Sequence, residues 1–324
     1  MNAFYARMKR FSAGFDEVCG RSLLMAISLI GLQTIGEVKE GDDLVRLIGE
    51  ACEREGVLLE AGDVIVITSK IVSKAEGRTA DLNAITPSRK AKAIARTTGK
   101  DPVEVEAILR ESTRILAAVP VWKMAKRFPQ VLDAITTDRE AAERVMRRDP
   151  TLLITVTRQG HLASDAALDY SNNPPGRCSY LPLDPSASAR RIREGLAKMV
   201  GGDVAVVITD TEVAFAHLFG SMELAVGSSG ISPVARGFAA RDRFGREKFG
   251  GADVVVDEIA CASALLMGQT AEGIPVVVVK GLKYPMGGEL KTASLPVEAL
   301  WHGIRWTLLE TIKLRLLWFF RALF

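Results

Sequence analysis

The stretch Val64-Ile65-Val66-Ile67-Thr68-Ser69-Lys70-Ile71-Val72-Ser73-Lys74 is the most informative part of this chain. Its first four residues form an apolar, β-branched run, which predicts a buried strand. Two lysines and two serines follow directly. In α/β-type sheets, ligands bind where side chains leave the core at strand ends. Amines and hydroxyls there suit a phosphate-rich ligand, although a solvated turn after a strand has the same composition.

Three further apolar runs predict strands that end in charged residues. Residues 204–208 precede Asp210, residues 254–256 precede Asp257 and Glu258, and residues 274–279 precede Lys280. Carboxylates and lysines at strand ends can assemble a site for phosphates and a hard cation such as Mg²⁺ or Mn²⁺. The pattern therefore predicts that these ends meet at one edge of a sheet.

Composition sets the broad class. The chain has 324 residues, of which 48% are hydrophobic and 25% charged, so it can bury a sizeable core, and we expect two lobes. A net charge of +3 does not favour nucleic-acid binding. Four separated cysteines and three histidines do not predict a zinc site, and they suit reduced thiols in the cytoplasm. Charged residues interrupt residues 1–21, which argues against a secretory signal.

Local patterns predict the other elements. Helices are expected over residues 40–55, 88–97, 101–112 and 184–199, and a further one over 259–267. Residues 125–148 are rich in charge and predict a helical insertion. Residues 226–230 carry glycines and serines and predict a flexible turn.

The C-terminal residues 308–324 are apolar but carry Lys313, Arg315 and Arg321. The segment is short for a membrane-spanning helix. A helix packed in the core or in a dimer interface is the favoured interpretation, and a basic helix on a membrane surface is the alternative.

The order of motifs resembles that of coenzyme F420-0:γ-glutamyl ligases, which join L-glutamate to a phospholactyl-deazaflavin at the expense of GTP. The sequence has neither a P-loop nor a Gly-x-Gly-x-x-Gly pattern, so the resemblance does not rest on a general nucleotide motif. The stretches that carry it are residues 37–44, 69–78, 168–172, 208–211 and 267–275, with weaker similarity at 183–185 and 242–247.

The resemblance implies a set of site residues. The implied nucleotide-binding residues are Ile35, Gly36, Glu37, Val38, Ser69, Lys70, Lys74, Asn172, Met267, Gly268, Gln269, Thr270, Ala271, Glu272, Gly273 and Ile274. Asp169 and Asp210 would hold one divalent metal, and Thr211 and Gln269 a second. Lys74 and Asp210 are the implied catalytic residues. From the residues alone, Asp169 could instead cap a loop beside Asn172.

The resemblance also implies an α+β fold with mixed sheets in two lobes and an intertwined homodimer. The catalytic region would span residues 27–282, with an insertion at about 122–146, between an N-terminal extension (1–26) and a C-terminal segment (283–324). The implied reaction adds L-glutamate to F420-0 through an acyl phosphate, with GTP as co-substrate and two Mg²⁺ or Mn²⁺ ions.

Several residues depart from the family pattern. The family follows its Asp-Thr pair with glycine, arginine and further basic residues, whereas residues 212–219 here are apolar and partly acidic. Gly36 stands where the family usually has proline. The neutral Gln269 stands where the family can have an acid, which makes it a weaker metal ligand. The carboxylate of Glu212 could compensate for the missing charge. Two alternatives therefore stay open: a related ligase that acts on a different carboxylate substrate, and a non-catalytic nucleotide-binding homologue.

Overall fold

The computed structural model describes residues 26–214, 220–235, 237–250, 252–290 and 297–321. The predicted N-terminal extension lies outside these residues, apart from Ala26. Ten strands within the described ranges form three sheets. The strands are β1 (Ser28–Leu32), β2 (Val64–Thr68), β3 (Thr79–Asp81), β4 (Ser112–Val119), β5 (Leu152–Thr157), β6 (Leu162–Ser164), β7 (Arg177–Ser179), β8 (Ala205–Ala214), β9 (Gly220–Ser229) and β10 (Val276–Lys280).

Ten α-helices lie in the same ranges. They are α1 (Leu44–Glu55), α2 (Ser69–Ala75), α3 (Arg89–Thr98), α4 (Pro102–Glu111), α5 (Val121–Arg127), α6 (Gln130–Ile135), α7 (Arg139–Arg148), α8 (Pro185–Val200), α9 (Val255–Met267) and α10 (Val297–Arg321). The structure thus confirms a mixed α and β architecture with several sheets, while the two lobes and the dimer stay predictions.

The five-stranded sheet has the order β1-β10-β2-β8-β9. Strands β2 and β8 run parallel, and the other neighbours are antiparallel. This arrangement places the carboxyl end of β2 and the beginning of β10 beside Asp210, where β8 continues past its pairing with β2. Of the charged residues predicted to meet at one edge, Lys70 and Asp210 lie there, whereas Lys280 lies at the far end of β10. The strand predicted at 204–208 does not end before Asp210, because β8 extends to Ala214 and pairs with β9 up to that residue.

Alternation along the strands divides the core into two layers. Ile65, Ile67 and Val206 pack with α1 and α8 on one face of the sheet. Val64, Val66 and Val207 pack with α9 on the other. Burying a side chain of this size contributes about 1.5–3 kcal/mol, so the two-sided burial explains why these strands are continuously apolar.

Four predicted helices begin at side chains that cap them. The carboxylates of Asp43, Asp101 and Asp184 and the hydroxyl of Ser88 each accept a hydrogen bond from a backbone N–H in the first turn. A cap of this kind contributes about 1 kcal/mol. The capping residues explain why the starts of these helices could be predicted to within a few residues.

Two predicted elements are wrong. The run at 254–256 is not a strand, because α9 begins at Val255 and buries Val256 against the sheet. Residues 226–229 are not a flexible turn but the end of β9. A Cβ on Gly227 would lie 2.6 Å from the Cβ of Pro185, so the glycine permits close packing of β9 against the start of α8.

The segment predicted as a helical insertion does form helices, α5 to α7, and it connects β4 to β5 of the three-stranded sheet β4-β5-β6. Its status as an insertion stays a prediction.

The C-terminal helix α10 is not packed in the core of its own chain. Leu308, Leu317 and Trp318 are 59%, 60% and 79% exposed. Among the described residues, no helix has the length and apolar character needed to cross a bilayer.

Candidate active site

A cavity of about 640 Å³ lies where β2 ends and β8 continues beyond it. Every predicted site residue except Ile35 lines it. Ile35 is 6% exposed and packs in the hydrophobic core, next to Gly36, which does line the cavity. The lining residues that sequence analysis did not single out are Gln33, Thr68, Ile71, Ser164, Ala167, Leu168, Ser171, Thr209, Glu223 and Pro275.

The two lysines lie on α2, one turn apart, and not in a solvated turn. Lys74 is 8% exposed; its Nζ lies 2.6 Å from Glu37 Oε1 and donates to the backbone oxygen of Asn172 at 2.8 Å. Lys70 Nζ lies 2.9 Å from Asp169 Oδ2 and donates to Ser171 Oγ at 2.6 Å. Because both ammonium groups face the cavity from one helix, they present a compact positive surface to an anionic ligand.

Asp169 faces two ways. Its Oδ1 accepts hydrogen bonds from the backbone N–H and the hydroxyl of Ser171, while its Oδ2 pairs with Lys70. Its backbone forms a two-way bridge with Ser179. The loop-capping interpretation is therefore correct for one oxygen, at Ser171 and not at Asn172, and the other oxygen remains directed toward Lys70.

Asp210 is partly buried within β8, just past the end of its pairing with β2, and its Oδ1 accepts a hydrogen bond from Ser69 Oγ at 2.5 Å. Burial raises the pKa of this carboxyl well above its ordinary value. The Ser69 hydroxyl acts in the opposite direction, whereas the nearby carboxylates of Glu212, Asp169 and Glu223 raise the pKa further. Among the residues that the structure describes, no Lys or Arg forms an ion pair with Asp210 that would favour its ionised form.

Glu223 is a site residue that sequence analysis missed. It lies on β9 directly opposite Thr211 and is 5% exposed. Its carboxylate accepts hydrogen bonds from Thr209 Oγ at 2.6 Å, from Thr211 Oγ, and from Gln269 Nε2 at 3.2 Å. Only the pairing of β8 with β9 brings this glutamate to the site, and no local motif marks it.

Glu212 shares a face of β8 with Asp210, but it does not reach Thr211 or Gln269. Its Oε2 accepts hydrogen bonds of 2.9 Å from both the backbone N–H and the hydroxyl of Ser164. Burial raises the pKa of Glu212. The suggested compensation for Gln269 by Glu212 is therefore not supported by these contacts.

The loop from Met267 to Pro275 closes one side of the cavity. Gly268 has φ +64°, and a Cβ there would lie 2.2 Å from the carboxyl carbon of Glu272. Glu272 in turn accepts hydrogen bonds from the backbone N–H and the hydroxyl of Thr270. Asn172 Nδ2 donates to the backbone oxygen of Thr270 at 2.9 Å and joins this loop to the one that carries Asp169.

Gly36 has φ +74° and no atom close to the position of a Cβ. Proline is held near φ −65°, so it could not adopt this conformation. The glycine in place of the family's proline therefore corresponds to a different backbone conformation of the turn.

The donor set suits oxygen-seeking divalent cations. Among the described residues, no group of three or more His, Cys, Asp or Glu side chains forms a metal cage. Mg²⁺ needs no such cage, because it binds through one or two carboxylates and takes its other ligands from water and phosphate. Within the described ranges no Lys or Arg pairs with Asp210, Glu212 or Glu223, so the cavity carries the uncompensated negative charge that a cation would offset.

Lysines, hydroxyls and buried carboxylates around one cavity define a pocket suited to phosphate groups and divalent cations. The profile of the F420-0:Gamma-glutamyl ligase family matches residues 33–281. The chain belongs to this family.

Three relatives share most of their length with the chain. A Coenzyme F420:L-glutamate ligase of Methanopyrus kandleri is 39% identical over 247 residues, which cover 76% of this chain and 84% of that protein. One from Methanothermobacter thermautotrophicus is 37% identical over 263 residues, covering 81% and 91%. One from Methanosarcina mazei is 33% identical over 285 residues, covering 87% and 98%.

Proposed function

We propose that this protein is a GTP-dependent ligase that adds L-glutamate to coenzyme F420-0 and forms an amide bond. Family membership and the names of the relatives support the reaction. The observation that carries the proposal is one cavity that contains Lys70, Lys74, Asp169 and Asp210, because this set can hold a triphosphate next to a carboxylate substrate.

A carboxylate is a poor electrophile, so it must be activated before an amine can attack it. In the proposed first step, an oxygen of the F420-0 carboxylate attacks the γ-phosphorus of GTP, and the bond from that phosphorus to the β–γ bridging oxygen breaks, releasing GDP. The amine of glutamate then attacks the carbonyl carbon of the acyl phosphate. The bond from this carbon to the phosphate oxygen breaks, phosphate leaves with the electron pair, and the new amide loses a proton.

The protein's own groups would act through position and charge. Lys74 is the proposed contact to the transferred phosphoryl group, since its stem is buried and its ammonium group is already oriented by Glu37 and Asn172. Lys70 and Ser69 would bind the other phosphates. The Met267–Ile274 loop would supply backbone N–H groups, which its glycines allow to approach closely.

Asp169 and Asp210 would hold one divalent cation, Mg²⁺ or Mn²⁺, and Thr211 and Gln269 a second. Bound there, the cations would offset phosphate charge during transfer. Asp210 is the proposed catalytic carboxylate because its buried position gives it one hydroxyl partner and no cation of the protein.

A second candidate is a ligase of the same type that activates a different carboxylate. It is favoured by the sequence after Thr211, which lacks the arginines expected to meet an anionic deazaflavin. An acid with less negative charge would suit the Glu212 side of the site better, because burial already disfavours charge there.

The test is product analysis of the purified protein with GTP, Mn²⁺, L-glutamate and F420-0. We expect one phosphate released per glutamylated deazaflavin detected by mass spectrometry, and neither with Asp210→Ala. Nucleotide binding without this product would favour the second candidate, and absence of nucleotide binding would contradict both.

A further inference from the structure

Glu223 connects the two residues that would hold the second cation. Its Oε1 accepts from Thr211 Oγ and also from Gln269 Nε2, at 3.2 Å. Its Oε2 accepts from Thr209 Oγ at 2.6 Å. The carboxylate is thus held by three neutral donors on two elements, β8 and the loop after α9, and it cannot rotate without breaking at least one of these bonds.

The hydrogen bonds to Glu223 determine how the side chains of Thr211 and Gln269 are oriented toward each other. The Thr211 hydroxyl has one proton, and the hydrogen bond to the charged carboxylate is the stronger use of it. Gln269 directs its N–H₂ group to the same carboxylate, which turns its Oε1 toward Thr211. Thr211 Oγ lies 3.2 Å from Gln269 Oε1, a longer contact that the same hydroxyl proton serves only when it leaves the carboxylate of Glu223.

Two oxygens at this separation have the spacing of neighbouring cation ligands. Around an octahedral Mg²⁺ with bonds of about 2.1 Å, adjacent oxygens are about 3 Å apart. Outer-shell carboxylates commonly orient the atoms that ligate a metal. The arrangement of Glu223, Thr211 and Gln269 has both features.

We propose that Glu223 is the positioning residue of the second cation site: it orients Thr211 Oγ and Gln269 Oε1 toward the cation and supplies the negative charge that the neutral Gln269 lacks. The inference rests on the proposed function, since it concerns the same cation pair. Glu212 does not share this role, because it faces the opposite side of β8 and bonds to Ser164.

The experiment counts bound Mn²⁺ by electron paramagnetic resonance during titration of the nucleotide-free protein. The unaltered protein is expected to bind two ions. Glu223→Gln keeps the size of the side chain, removes its charge and adds a competing donor, so we expect one of the two affinities to fall by about 10–100-fold, with the other unchanged. Glu212→Gln is the matched control: because the Glu212 carboxylate lies near Asp210, any loss should fall on the other affinity, and the affinity that Glu223→Gln lowers should stay unchanged.

A charge-exchange variant provides the second measurement. Glu223→Gln combined with Gln269→Glu restores one carboxylate and one amide in contact, and it should recover the lost affinity to within about tenfold. Circular dichroism melting of each variant without metal identifies any that fails to fold.

Each of three results would overturn the inference alone: two unchanged Mn²⁺ affinities in Glu223→Gln, an equal loss at the same ion in Glu212→Gln, or a folded exchange variant that binds Mn²⁺ no better than Glu223→Gln. If the unaltered protein binds fewer than two Mn²⁺ ions, the cation pair of the proposed function fails and this inference fails with it.

Discussion

Asp210 combines a buried carboxylate with several acidic neighbours and a single hydroxyl partner. An arrangement of this kind costs folding free energy in the absence of a cation, because burial disfavours the ionised form. Functional residues often carry such a cost. The charge at Asp210 is therefore expected to oppose the stability of the metal-free protein.

Asp210→Asn should accordingly stabilise the metal-free protein at neutral pH by roughly 1–3 kcal/mol while it abolishes ligation. The amide keeps the oxygen that accepts from Ser69 and removes the buried charge. Urea denaturation with and without a chelator measures the effect. A destabilised Asp210→Asn protein in the chelator would contradict this view of the site.

Lys74 differs from Lys70 in burial and in partners, and the two should differ in function. Lys74→Met is expected to lower kcat by at least about 100-fold, since a transferred phosphoryl group loses its charged contact. Lys70→Met should mainly raise KM for GTP. Steady-state kinetics of both variants make the comparison, and equal effects on kcat would contradict the assignment of Lys74 as the catalytic lysine.

Individual residues show which parts of the candidate site could be predicted from the sequence. The lysines and Asp210 could be predicted because each follows an apolar run in the chain, although β8 itself continues through Asp210. Glu223 could not, because its role depends on pairing between β8 and β9. Asp257 had the same sequence signal as Asp210, yet its carboxylate accepts from the backbone N–H of Ala225 in β9 and does not line the cavity.

Among the elements, the turn from Asp165 to Ala167 is unusual because all three residues have positive φ. It lies between Ser164, which contacts Glu212, and the strand bridge at Asp169. Lys100 stabilises this turn, and its side chain is only 1% exposed. Its Nζ lies 3.0 Å from Asp165 Oδ2 and 2.5 Å from Asp149 Oδ1. The surrounding bonds thus maintain a backbone conformation that is unfavourable for residues other than glycine.

Lys100→Met should destabilise the protein by about 3–5 kcal/mol, because it leaves two carboxylates without their buried partner. Arg139→Met removes an exposed ion pair with Asp133 and should cost less than about 1 kcal/mol. Chemical denaturation compares the two. Similar losses in both variants would show that the buried cluster is not important for the turn.

The turn between β5 and β6 carries His161, whose pKa is lowered by burial and raised less by a hydrogen bond with the backbone of Val226. The folded state therefore favours the neutral ring. Its contribution to stability is complete above pH 6.5 and is lost as the pH falls from there through the lowered pKa, because the unfolded chain takes up the proton first.

Below pH 6.5, protonation of the unfolded chain at His161 makes the free energy of unfolding fall with decreasing pH. We expect His161→Gln to reduce this slope by up to about 1.4 kcal/mol per pH unit. Denaturant titrations at pH 7.5, 6.0 and 5.0 test this. An unchanged slope in the variant would assign the pH dependence to other groups.

Element prediction succeeded where caps or long periodic patterns marked a boundary and failed where burial outweighed propensity. Residues 254–256 are β-branched and apolar, a composition that occurs both in short strands and at the start of buried helices. Here the segment is helical, and Val256 packs against the sheet from that helix. The sequence analysis placed the lysines after a strand end but predicted no helix for them, because α2 begins at Ser69 without a side-chain cap.

At the scale of the whole molecule, helix α10 stands apart from the two core layers. The apolar side chains described between Trp306 and Phe319 are exposed, and the side-chain hydrogen bonds described for the helix stay within it. The family profile ends at residue 281, before this helix begins. The ligase fold is therefore expected not to depend on it.

A chain shortened to residues 1–290 should keep its melting temperature within about 2–4 °C, the shift that corresponds to about 1 kcal/mol in a protein of this size. It should also aggregate less, since a large exposed apolar surface is removed. Calorimetry and light scattering test both. A large loss of stability would show that α10 packs against its own chain or a second copy.

In the proposed function, the cavity activates a carboxylate by phosphoryl transfer from GTP. The most direct test uses F420-0 with ¹⁸O in the carboxylate that receives glutamate, and mass spectrometry of the released phosphate. We expect each turnover to move one ¹⁸O atom from the acid into inorganic phosphate. Glutamylated product with unlabelled phosphate, or no product in the presence of all substrates, would contradict it.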